Sequence, residues 1–173
     1  HFLILQIVIL QLSCDWLENI KDLYLLEVSN LTKYFGKKKA IENISFSVAD
    51  NEYVTLLGPS GSGKSILLKC IAGLDKPDKG KVKLYDNDIT SLQCHKRNVG
   101  FVQQKYALFP HLNVFDNVAF GLKYRVQSPL KDFSLIKNKV EEILELVGLS
   151  DQSQKMTGQI SGGQKQRVSL ART

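Results

Sequence analysis

Apolar and polar positions alternate along two early stretches of the chain. Leu26 and Val28, with Glu27 and Ser29 between them, predict a strand from Tyr24 to Leu31. Ile44, Phe46 and Val48, alternating with Ser45 and Ser47, predict a second strand with one polar face. Such alternation suits an antiparallel sheet. Between them, Tyr34-Phe35-Gly36 places an aromatic pair before a turn glycine, and Lys37-Lys38-Lys39 reads as a solvated hairpin tip. The unbroken run Tyr53-Val54-Thr55-Leu56-Leu57 predicts a buried strand, and Ile66 to Ala72 a helix stopped by Gly73. After the turn-forming Asp75 to Gly80, Lys81 to Tyr85 alternates like an edge strand, and Val99 to Gln103 reads as a further short strand. Helical spacing returns at Val114, Val118 and Leu122 within Asn113 to Lys123, before the break at Pro129. The clearest amphipathic helix runs from Asp132 to Val147, with Ile136, Val140, Ile143, Leu144 and Val147 on one face and Gly148 as its stop.

One segment fits none of these patterns. His1 to Leu12 is strongly apolar, but its twelve residues, interrupted by Gln6 and Gln11, are too few to span a bilayer. It lacks the basic start and small-residue cleavage site of a signal peptide, so residues 1–22 are left unassigned.

Composition changes this picture little. With 43% hydrophobic and 23% charged residues the 173-residue chain is long enough for one domain with a real core. A net charge of +6, mostly from lysine, is explained by a solvated surface, which argues against nucleic acid as a partner. Cys14, Cys70 and Cys94 are odd in number, widely spaced and without a C-x-x-C pair, which predicts reduced thiols, with Cys70 in the core and no metal cage.

The chemistry is concentrated at Gly58-Pro59-Ser60-Gly61-Ser62-Gly63-Lys64-Ser65, a complete G-x-x-x-x-G-K-[ST] loop between the expected strand and helix. A polyphosphate packs several negative charges into a small volume, and a helix N-terminus offers unpaired N–H groups and the positive end of a dipole. Gly58, Gly61 and Gly63 allow the backbone to close around it as an anion nest. Lys64 would reach the β- and γ-phosphates, and the Ser65 hydroxyl would face the Mg²⁺ that bridges them. Near the end of the chain, Ile160-Ser161-Gly162-Gly163-Gln164 directly precedes another helical pattern. By physics alone it is either a second phosphate contact or a capped helix start.

Taken in order, these motifs resemble the ATP-binding subunit of an ABC transporter over residues 25 to 173. The resemblance makes Gly58 to Ser65 the Walker A loop and Ser161, Gly162, Gly163 and Gln164 the family signature, with Ile160 for the usual leucine. It makes Phe35, with Tyr34 as understudy, the adenine-stacking aromatic, although core or turn packing is an equal reading of that stretch. It places a metal-contacting, γ-phosphate-sensing glutamine at Gln104, within Val102 to Leu112. Lys64 and Gln104 are then the catalytic candidates, and Ser65 and Gln104 the metal contacts, with ATP and Mg²⁺ as cofactors. The implied fold is α/β: a P-loop NTPase core with an antiparallel β subdomain and an α-helical subdomain at about 105–160, incomplete at the C-terminus, in a partial domain over residues 23–173.

The implied partners are a second ATP-binding subunit, whose ATP the signature would contact in trans, a membrane permease docking at about 105–122, and, indirectly, a solute-binding protein. The implied place is peripheral, on the cytoplasmic face of a membrane, and the lysine-rich composition also fits a plastid. Tyr106 to Leu112 and Asn117 to Leu122 are similar to solute importers of the maltose, polyamine and sulfate type. A soluble ABC-type factor acting on nucleic acid or the ribosome, and a non-functional gene remnant, are the alternatives. Two departures bear on activity. Ile66 replaces a second hydroxyl residue, removing one α-phosphate hydrogen bond. The Walker B aspartate, the water-activating glutamate and the switch histidine, which follow the signature in the family, do not occur before Thr173. The chain as given is therefore expected to bind ATP without turning it over, and to leave the run from Tyr53 to Leu57 uncovered.

Overall fold

The computed structural model describes residues 24–103, 106–124 and 129–173. The apolar start of the chain, Cys14 and Gln104 lie outside the described residues. The chain divides into two compact units after Gly100. The second, residues 101–173, includes the last helix of the chain, which the sequence places beyond a helical subdomain at about 105–160.

The first unit is built on an antiparallel sheet of four strands in the order β2-β1-β3-β4. Strand β1 (Tyr24–Phe35) and β2 (Lys38–Ala49) form a hairpin in which Leu26 faces Val48, Val28 faces Phe46 and Leu31 faces Ile44. Both strands run further toward the turn than the alternation indicates, so Lys38 and Lys39 belong to β2 and only Gly36 and Lys37 make the turn. The apolar spacing slips by one residue at Asn30 and at Asn43, each left-handed with φ 51°. Asparagine tolerates that conformation better than most residues. Side chains from the opposite strand satisfy the displaced backbone: Asn30 N–H donates to Ser45 Oγ at 2.8 Å, and Asn43 N–H donates to Thr32 Oγ1 at 3.0 Å. Each slip returns the next apolar residue to the buried face, in the manner of a β-bulge.

Strand β3 (Lys79–Leu84) pairs with β1, Val82 facing Val28, and β4 (Asn87–Asp88) covers only its end. Gly80 crosses the Asn30 bulge so closely that a Cβ there would lie 2.5 Å from the Ser29 and Asn30 carbonyl oxygens. Helix α1 (Lys64–Ala72) lays Leu67, Cys70 and Ile71 on a core that includes Leu31, Val28 and Val82. Cys70 is fully buried, as expected, and burial pushes its thiol up to about 11, so it stays protonated and inert.

Arg97 is 2% exposed, although no sequence pattern singles it out. Its Nη1 donates to the carbonyls of Cys70 and Ile71, both at 2.8 Å, Nη2 to Thr90 O at 2.7 Å and Nε to Leu92 O at 2.9 Å. The first two acceptors are among the last carbonyls of α1, the negative end of its dipole, and so a buried cation is tolerated there.

Two expected strands do not form. Neither Tyr53 to Leu57 nor Val99 to Gln103 joins a ladder, and Tyr53 and Leu57 are 92% and 86% exposed. A strand is held by the neighbours that satisfy its N–H and C=O groups, and no described strand pairs with this run. Its β-prone composition cannot replace them.

The second unit packs α2 (Val114–Lys123), α3 (Phe133–Leu146) and α4 (Gly162–Arg172) around Val118, Ala119, Leu122, Ile136, Val140, Leu144 and Val168. The starts of α2 and α3 are capped by side chains. Asn113 Oδ1 accepts from Asp116 N–H at 2.7 Å, and Asp132 Oδ1 accepts from Ser134 N–H at 2.7 Å. Asn117 lies on the buried stripe of α2 with no exposure. Its Oδ1 accepts from Phe109 N–H at 2.9 Å, while Nδ2 faces the carbonyls of Phe109 and Leu112, each at 3.1 Å. Asn117→Leu keeps the bulk and strands these groups. Each unsatisfied buried group costs about 1–3 kcal/mol, so a loss of ~2 kcal/mol or more is expected in urea melts of the second unit.

Candidate functional site

The phosphate loop is held from below by β2. Gly63 is the N-cap of α1, left-handed at φ 91°, and a Cβ there would lie 2.5 Å from both the Ala40 carbonyl oxygen and Ile41 Cγ2. Only glycine gives both the backbone angle and this approach. Gly61 is also left-handed, at φ 83°, with nothing within 4 Å of an added Cβ, so its side toward solvent is open.

Lys64 fixes the charge of the site. Its Nζ donates to Gly58 O at 2.7 Å, Pro59 O at 2.8 Å and Ser62 Oγ at 3.0 Å. The ammonium is thus drawn into the loop formed by its own chain. The first N–H groups of α1, at Lys64 and Ser65, have no intrahelical carbonyl to bond, and the first turn carries no acidic side chain. An ammonium, a hydroxyl at Ser65 and converging N–H donors without a nearby carboxylate form a donor set for a polyphosphate, and for a cation only when that anion brings it. Ile66, where the resemblance expects a hydroxyl, packs instead against the apolar core.

Phe35 ends β1 opposite Lys38, 51% exposed, with Lys33 Nζ 5.6 Å from its ring centroid. The ring is half exposed and lies outside the buried core, beside the Lys33 side chain. Tyr34 is anchored instead, its N–H donating to Asp78 Oδ2 at 2.7 Å.

The stretch that resembles the signature belongs to the second unit. Ser161 is the N-cap of α4: Gln164 N–H donates to Ser161 Oγ at 3.3 Å and Ser161 N–H to Gln164 Oε1 at 2.8 Å, a capping box. The helix-start reading of this stretch is the one this geometry bears out. Gly163 is open, with no atom within 4 Å of an added Cβ. Within the stretch read as a docking region, Phe109 stacks on Phe120 and Phe120 on Tyr124, each with centroids 4.5 Å apart, and His111 lies 6.0 Å from Phe109. Tyr124, 68% exposed, extends this surface beyond the expected limit. No helix among the described residues is long and apolar enough to cross a membrane.

Comparison with known proteins gives the same outline. Residues 41–173 match the profile of the family described as ABC transporter. The sulfate/thiosulfate import ATP-binding protein CysA of Photorhabdus laumondii is 46% identical over 147 residues, covering 85% of this chain and 41% of that protein. The spermidine/putrescine import ATP-binding protein PotA of Acetivibrio thermocellus is 48% identical over 147 residues, covering 85% of this chain and 41% of that protein. The chain thus spans less than half the length of the curated relatives it matches. Among solved structures, a dimeric post-hydrolysis state of an ATP-binding cassette bound to ADP and Pi is similar with a TM-score of 0.76 at 31% identity, over 85% of this chain and 68% of that one. A second, the dimeric structure of a bacterial ABC transporter cassette, has a TM-score of 0.74 at 33% identity, with the same coverage. A profile that matches most of its length places the chain in one family: it belongs to the ABC transporter family.

Proposed function

We propose that the chain carries the nucleotide-binding part of an energy-coupling subunit that binds, and in the whole protein hydrolyses, ATP to drive solute import. The observation that carries this is the Lys64 ammonium, held within a glycine loop at the N-terminus of α1. Gly58 to Ser65 would take the α-, β- and γ-phosphates, Phe35 would stack on adenine, and Ser65 with Gln104 would face the Mg²⁺ that accompanies ATP. That metal would spread the negative charge of the phosphates. The chain's own part is to bind and orient them.

Ser161 to Gln164 would contact ATP held by a paired subunit, in keeping with the dimeric cassettes among the structural neighbours. The aromatic surface of Phe109, Phe120 and Tyr124 would dock on a membrane permease, which in turn would meet the solute-binding protein. That arrangement places the subunit on the cytoplasmic face of a membrane. The import class rests on the names of the relatives, sulfate/thiosulfate and spermidine/putrescine.

Calorimetric titration of the chain with Mg-ATP, followed by light scattering, tests this reading. Micromolar binding and ATP-dependent pairing are expected. Ser161→Arg should abolish pairing and leave the monomer's affinity unchanged, because the substituted side chain projects from α4 rather than from the phosphate loop. Failure to bind Mg-ATP overturns the nucleotide assignment, and pairing that survives Ser161→Arg overturns the trans role.

A further inference from the structure

Tyr106 and Ala107 are consecutive non-glycine residues in left-handed backbone, with φ 60° and 48°. That conformation is costly for an L-residue, and two in succession persist only where the surroundings impose them. The restraints come from α4. Ser169, 1% exposed, donates its hydroxyl to Tyr106 O at 2.8 Å, and Arg172 Nη1 donates to Ala107 O at 2.7 Å. The Arg172 guanidinium lies 5.1 Å from the centroid of the Phe109 ring, and burial lowers its pKa from the ordinary value. At the other end of the helix, a Cβ on Gly162 would come 3.8 Å from the Tyr106 hydroxyl. The turn therefore meets α4 near its start through the phenol, and further along through Ser169 and Arg172.

We propose that Ser169 and Arg172 are positioning residues that clamp the Tyr106-Ala107 turn to α4, so that displacement of the Phe109 aromatic surface reaches Gly162 and Gly163 as a rigid movement. Apolar packing alone would let the turn slide along the helix, because it favours no single arrangement. Two carbonyls of a strained turn, each fixed by a directional hydrogen bond, leave one position. The Tyr106 N–H is also engaged, donating to Gln103 O at 2.9 Å, so the turn is tied on both sides. The clamp rests only on packing within this unit and stands apart from the nucleotide and permease assignments.

Amide spectra of the ¹⁵N-labelled chain test it. Phe109→Leu changes the ring beneath Arg172 and is expected to shift the Gly162 and Gly163 resonances. In a Ser169→Ala/Arg172→Gln background the same change should shift them at least threefold less. Ser169→Thr, which keeps the hydroxyl, should preserve the response. Unmoved α3 resonances report that the unit remains folded, and if the combined variant unfolds, Ser169→Ala alone provides the comparison with a smaller reduction. Equal shifts with and without the clamp, or no shift in the unaltered background, overturn the proposal.

Discussion

Lys64→Ala is expected to weaken Mg-ATP binding by roughly 100-fold or more. The ammonium is bonded to Gly58 O, Pro59 O and Ser62 Oγ, so it stands within the loop rather than out in solvent. Removing it takes away a charge-assisted donor for the phosphates, worth about 1.5–3 kcal/mol for each bond lost. It also removes the cross-brace that holds Pro59 and Ser62 together. A total of about 3 kcal/mol corresponds to more than two decades in affinity. Calorimetry with Mg-ATP measures it, alongside a thermal melt to establish that the variant is folded. Lys64→Arg keeps the charge but not the compact shape of the ammonium, and should bind with intermediate strength. Affinity in Lys64→Ala within threefold of the original would show that the phosphates are held elsewhere.

The largest expected effect on stability is at Arg97. Arg97→Met preserves much of the bulk and leaves the carbonyls of Cys70, Ile71, Thr90 and Leu92 without their partner. At about 1–3 kcal/mol for each stranded group, with some relieved by water, the loss should be ~4 kcal/mol. Domains are stable by only about 5–15 kcal/mol in total, so the first unit should be close to unfolding. Arg97→Lys would supply a cation at the end of α1 but not a planar fork that spans four acceptors, and it should recover only part of the loss. Urea melts followed by hydrogen exchange in each unit measure both effects. Unchanged protection of β1 and α1 in Arg97→Met would refute the role.

What was legible in the sequence was local. The P-loop pattern, the amphipathic face of α3 and the helix start at Ser161 each depend on residues within a few positions of one another, so spacing brings them within reach. Cys70 in the core followed from a helical stripe for the same reason. The run from Tyr53 to Leu57 is left uncovered, as expected, but its reading as a strand fails, because hydrophobicity states what a strand prefers, not which neighbour it has. The bulges at Asn30 and Asn43 were within reach: both interrupt an alternation by one residue, and both are asparagines. Arg97 and Asn117 were not, because their partners are backbone carbonyls and amides that carry no sequence signal. A polar residue on the apolar stripe of Val114 and Val118 was the only available hint for Asn117. The Phe35 ring could be placed at a turn from the sequence, but its exposure depended on the finished hairpin. The relatives and the family profile agree with the ABC family resemblance already legible in the motifs, while Gln104 stays outside the described residues.

The contact of Gly63 with Ala40 and Ile41 also bears on the order in which the unit folds. The phosphate loop rests on a hairpin made earlier in the chain, and the sheet is completed only when β3, which follows α1, returns to pair with β1. Closing that long loop carries an entropic cost before its contacts are gained. The hairpin, whose pairings are nearest in sequence, should therefore form first, and the anion cradle should take its final shape late, when α1 packs onto a sheet that β3 has joined. A nucleotide would then select finished molecules rather than template unfinished ones, and its effect on kinetics would fall on unfolding rather than on folding.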